Sequence, residues 1–170
     1  SRNDVIILAQ ESLKAQATEY FASRLQQCLS RWAPVESFSK SDCMAHFGYA
    51  LRDRQLREEL AKAKTAAGAP DIWMVTWSDS EEGKMQSKWF LGKSDAESQF
   101  ELCKSQGHPV MLADGLNEHD WTNGRSGIKG GHGPLHSFVQ FSGHALREVY
   151  QTTAFKQQEV GTGTDLGAMS

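Results

Sequence analysis

The hydrophobic pattern along this chain begins with a helical period. From Leu13, apolar residues recur at Ala17, Tyr20, Phe21, Leu25, Cys28, Leu29 and Trp32, the i, i+3, i+4 stripe of an amphipathic helix. Asn3 or Asp4 can start it, or "VIIL" at 5–8 forms a separate short piece; Pro34 ends it. A second helix is expected from Ser39 or Ser41, both good N-caps. It carries Met44, Phe47, Leu51, Leu56 and Leu60, and stops at Gly68 and Pro70.

Beyond Pro70 the period shortens to two. In "DIWMVTW" Trp73, Val75 and Trp77 alternate on one face, as in a half-buried strand. The turn "SDSEEGK" and the run "MQSKWFLG" complete a hairpin. Its Trp73–Trp77 face is expected to lie under the two N-terminal helices. Ser94–Glu97 has the pattern of a capping box and opens a third helix, which Gly107 ends. "HPVMLAD" reads as a third strand. A polar segment, 114–134, follows, long for a connection with no structure of its own. "LHSFVQF" reads as a fourth strand, with Leu135, Ser137, Val139 and Phe141 on one face. A last helix runs through Leu146, Val149 and Tyr150.

This order predicts an α+β fold: two N-terminal helices, then a mainly antiparallel sheet of about four strands with further helices on one face. Residues 1–160 are expected to form a single domain and 161–170, which lack periodicity, a flexible C-terminal tail.

Composition narrows the functional classes. The 170 residues are 39% hydrophobic and 23% charged, as in a soluble globular protein. A net charge of −3 gives no global basic field to draw nucleic acid. The longest apolar run, "VIILA" at 5–9, is too short to cross a membrane and lacks the flanks of a signal peptide. Cys28, Cys43 and Cys103 are odd in number and widely spaced, without a CxxC pair. That argues against a disulfide framework and favours a reducing intracellular compartment.

Candidate chemistry concentrates in "NGRSGIKGGHGPLHSF", residues 123–138. Glycines let backbone amides turn toward an anion, and Arg125 and Lys129 add positive charge. The run is neither a Walker loop nor a dinucleotide fingerprint, so no cofactor is expected. His132 and His136 stand four apart, a metal-binding spacing only on a helix. Pro134 and its glycines argue against a helix there. Asp114, Glu118 and Asp120 are the nearby carboxylates, HExxH is missing, and no metal site is expected.

The leading reading is a small soluble binding or interaction domain for an anionic ligand or partner. Arg125 and Lys129 supply charge, Gly130 and Gly131 supply amide donors, and His132 and His136 set orientation. A second reading starts from Cys43 in "KSDCMAHF", at the expected start of the second helix, where unpaired amides and the helix dipole favour thiolate. His136 is its best-placed base. The run "SDC" followed much later by "LHSFVQFSG" resembles the papain-like and NlpC/P60-type cysteine hydrolases, which carry the nucleophile at a helix start and the histidine on a later strand. That resemblance implies hydrolase activity with Cys43 as nucleophile and His136 as base. A third reading is a structural subunit of a larger assembly, with the glycine-rich loop and the tail ordered by neighbours.

Overall fold

A computed structural model describes residues 4–8, 11–32, 50–78, 85–125 and 131–157. Among them the order is β1 (Asp4–Leu8), α1 (Glu11–Trp32), α2 (Ala50–Ala67), β2 (Trp73–Ser78), β3 (Met85–Phe90), α3 (Lys93–Ser105), β4 (Val110–Asp114), β5 (Asn117–Thr122), α4 (His132–Thr152) and β6 (Thr153–Gln157). The four middle strands form one antiparallel sheet in the order β3-β2-β4-β5. β1 and β6 pair in parallel as a separate two-stranded sheet. The fold is α+β, as the periodicity predicts. The expected start of the second helix, 39–49, and the tail 161–170 lie outside the described residues.

Alternation along the strands sends side chains to two faces, and helices cover both. On one face Met74, Met111 and Ala113 join Phe21 and Leu25 of α1, Leu56 and Leu60 of α2, and Phe138, Leu146 and Val149 of α4. On the other, Trp73, Val75, Val110 and Leu112 pack against Ala96, Phe100 and Cys103 of α3, with Trp77 at the edge. The expectation that the N-terminal helices cover the Trp73–Trp77 face is therefore corrected: α3 covers it. The reason is phase. Ile72 and Met74 belong to the α1–α2–α4 layer, so the tryptophans between and beyond them turn away from it.

Two helix boundaries also differ from expectation. α3 begins at Lys93 after an N-cap Gly92 that offers no side-chain cap. Ser94 lies inside the helix, where its carbonyl accepts from the Ser98 hydroxyl at 3.2 Å. More consequentially, "LHSFVQF" is not a strand but the second and third turns of α4. Over seven residues Leu135, Ser137, Val139 and Phe141 mimic a period of two. Extended to Leu135, Phe138, Val139, Ser142, Leu146, Val149 and Tyr150, the same region has the helical period, and all seven are buried. Pro134 is tolerated because it occupies the first turn, where its missing N–H would have no intrahelical partner anyway.

α4 is the central helix of its layer. Phe21 stacks on Phe155 just beyond its end at 4.9 Å. The Cys28 thiol donates to Glu148 Oε2 at 3.0 Å, and Arg24 donates to Thr152 Oγ1 at 2.7 Å. On the α2 side Arg147 pairs with Glu59 at 2.9 Å. Gly143 allows the β4–β5 turn to close on this helix: a Cβ there would stand 2.6 Å from Leu116 Cδ2.

Half-buried His144 sits beside that joint. Burial first, and then the neighbouring Arg147 charge, holds its pKa below the ordinary value. The unfolded chain therefore binds a proton that the folded chain resists. Stability attributable to His144 is present above about pH 6.5 and is lost as pH falls from there toward the lower folded pKa. Replacing His144 with Gln should flatten the acid side of the urea-midpoint profile. An unchanged wild-type slope between about pH 7 and 5 would contradict this.

Candidate functional site

Among the described residues the expected loop 114–134 holds a turn, a strand and the start of a helix, and 126–130 lie outside them. A tight turn at Gly115 and Leu116 leads into β5, and α4 begins at His132. β5 pairs Trp121 with Met111 and Glu118 with Ala113, across an irregularity between Leu112 and Ala113. Residues three apart on a regular strand face opposite ways. Here the bulge absorbs His119, so Glu118 and Trp121 both face α4. His119 turns to the other face, where its ring lies 4.6 Å from that of Trp73. Lys93 Nζ also lies over Trp73, 5.6 Å from the ring centroid.

The N-terminal turns of α4 meet this strand. His132 and His136, one turn apart, stack at 5.8 Å with an interplanar angle of 8°. The Glu118 carboxylate spans them. Its Oε1 lies 2.7 Å from His132 Nε2, and its Oε2 contacts His136 Nδ1. Trp121 meets His132 edge-on at 5.0 Å. The cluster is open to solvent: side-chain exposure is 48% for His132, 27% for His136 and 22% for Glu118, and Trp121 is 42% exposed. The carboxylate lies at the positive end of the helix dipole, where negative charge is favoured.

The helix thus restores the metal-type spacing that the Pro134 argument had set aside. Even so, no group of three or more His, Cys, Asp or Glu among the described residues is arranged to hold a metal ion. The carboxylate contacts both rings directly, so these donors face one another.

The connection from β5 to α4 is anchored at both ends. Gly124, at φ +71°, lies so close to the α3–β4 turn that a Cβ would meet Gly107 O at 2.4 Å. The next residue continues the contact: Arg125 N donates to Gly107 O at 3.0 Å. The exposed Arg125 side chain lies against Gly107, its Nε 2.7 Å from where a Cβ would be. At the other end buried Gly131 caps α4, its carbonyl accepting from Leu135 N at 3.1 Å.

Of the residues that the sequence singled out, His132 and His136 are brought together, and Arg125 and Gly131 flank the same connection. Lys129, Gly130 and Cys43 lie outside the described residues. His136 does not stand on a strand, so the strand position behind the hydrolase resemblance is corrected: it belongs to the second turn of a helix. The site's organising residue, Glu118, is by sequence only one of three nearby carboxylates, and nothing in the local pattern marks Trp121. "NEHDWT" carries a single apolar residue, Trp121, and no alternation, so the local pattern held no strand signal there. No family model, curated protein or solved structure matches the chain.

Proposed function

We propose that this chain is a small binding domain that takes an anionic ligand or an acidic partner surface where β5 leads into α4. One observation carries the reading: two solvent-open imidazoles at the α4 N-terminus already clasp a carboxylate from the neighbouring strand. That surrounding suits negative charge. Arg125, three residues beyond β5, is an exposed cation held against Gly107, and Lys129 and Gly130 belong to the same connection by sequence. Thermal unfolding in phosphate or sulfate tests the proposal. The wild-type melting temperature should rise more than that of Arg125→Ala/Lys129→Ala, because a ligand that binds only the folded state stabilises it. Added sodium chloride should weaken the shift. Equal shifts in both proteins would refute the proposal.

A second reading, a cysteine hydrolase with Cys43 as nucleophile and His136 as base, has one observation in its favour. Glu118 engages His136 Nδ1, which leaves Nε2 to accept a proton, the orientation a general base needs. On this reading Cys43 should react with iodoacetamide with an apparent pKa well under about 8.5, and His136→Ala should raise it. A thiol that labels only at alkaline pH, alike in both proteins, would eliminate this reading.

A further inference from the structure

Beyond that site, the other end of α4 borders a cleft of about 320 Å³ that reaches from α2 to the β4–β5 turn. Its floor is apolar: Leu60, Leu116 and Leu146 line it and are all buried in the main core. Its rim carries both signs of charge. Arg57 and Lys64 come from α2 and Asp114 from the end of β4.

The rim groups are held in different ways. Arg57 donates to Leu116 O at 2.7 Å and to Asn117 Oδ1 at 2.9 Å, which holds its guanidinium over the turn. Lys64 pairs with Asp71 at the opposite end of the helix stripe. Asp114 has no ion pair or side-chain hydrogen bond among the described residues. Its charge nonetheless reaches into the cleft. The Tyr150 phenol, another lining group, is held far above its ordinary pKa by burial first and then by Asp114.

We propose that this cleft binds a small zwitterion, an amino acid or close analogue, with its ammonium on Asp114, its carboxylate toward Arg57 and Lys64, and an apolar side chain on the leucine floor. The volume lies at the low end for ligand sites, which limits the occupant to a small molecule. A simple anion would meet the unpaired Asp114, and a simple amine would meet the Arg57 guanidinium, Lys64 being already paired with Asp71. A molecule carrying both charges meets neither repulsion, and its apolar body replaces water over the floor. Asp114 is the carboxylate that lacks a partner of its own, so the ammonium contact discriminates most.

Calorimetric titration of the whole chain with L-leucine, leucinamide and 4-methylpentanoate tests this, since the last two lack the carboxylate and the ammonium respectively. Leucine should bind saturably, and each truncated probe about tenfold or more weaker. Asp114→Asn should remove most of leucine's advantage over 4-methylpentanoate. Ala61→Trp, at an exposed α2 position on the cleft wall, should block all binding without disturbing the core. No saturable heat with leucine up to about 10 mM, equal binding of the three probes, or leucine binding unaffected by Ala61→Trp would each overturn the proposal. The result is independent of the phosphate and sulfate measurement, which reads the opposite end of α4.

Discussion

Replacing Phe138 with alanine should lower the unfolding free energy by about 3–5 kcal/mol, the range for losing a large aromatic from a close-packed core. Phe138 has no exposed surface. It lies on the face of α4 that packs with α1, α2 and the sheet. Its removal opens a cavity in a close-packed core, and the surrounding helices and sheet collapse only partly into the space. The urea midpoint should fall with the m-value unchanged. Trp77 gives the contrast. It is only half-buried at the edge of the α3 layer, so Trp77→Ala should be less destabilising despite the larger side chain. A Phe138→Ala effect below about 1 kcal/mol, or one smaller than that of Trp77→Ala, would mean that α4 is not central to the core.

Gly124→Ala should destabilise by more than about 2 kcal/mol, because two penalties combine. One is backbone strain at φ +71°, about 1–2 kcal/mol for a side-chain-bearing residue. The other is a steric clash. The new methyl carbon would stand 2.4 Å from Gly107 O, 2.6 Å from His108 C and 2.7 Å from Pro109 N. All three are backbone atoms and cannot swing aside as a side-chain end can. Gly115→Ala is the control. It has φ +60°, but its nearest neighbour is Leu60 Cδ2 at 3.5 Å, an ordinary contact, so only the strain remains. Gly124→Ala should therefore be clearly the more destabilising, and equal losses would show that the Gly107–Gly124 approach is looser than 2.4 Å implies. Because Arg125 follows directly, Gly124→Ala should also weaken any anion effect at the α4 N-terminus.

The two positions illustrate how legible the molecule was in its sequence. α1, the β2–β3 hairpin, the end of α3 at Gly107 and β4 could all be read from local pattern. α1 and the hairpin strands have a stripe or an alternation long enough to read, and β4 is a short apolar run bounded by Pro109 and Gly115. The 135–141 region misled because seven residues satisfy a period of two and a period of 3.6 equally well. Only the buried positions out to Tyr150 decide between them. Pro134 then looked like a breaker, although a first-turn position neutralises its defect. β5 was missed because it is an exposed edge strand with few apolar residues, so no alternation of buried and exposed positions marks it.

The candidate site divides in the same way. His132, His136, Arg125 and Gly131 stood out by residue type and spacing, because imidazoles, guanidinium groups and glycines are rare enough to be conspicuous wherever the chain puts them. Their grouping with Glu118 and Trp121 could not be read locally. It depends on a bulge that returns two residues of opposite parity to one face, and on a helix laid antiparallel against that strand. Likewise, the sequence by itself determined the α+β class and most of its elements, since periodicity dictates which surfaces must be buried. Which layer each face joins was left to the tertiary structure. Burial has no direction until two surfaces meet, and the Trp73–Trp77 face went to α3 because Ile72 and Met74, one residue out of phase, had already committed the opposite face to α1, α2 and α4.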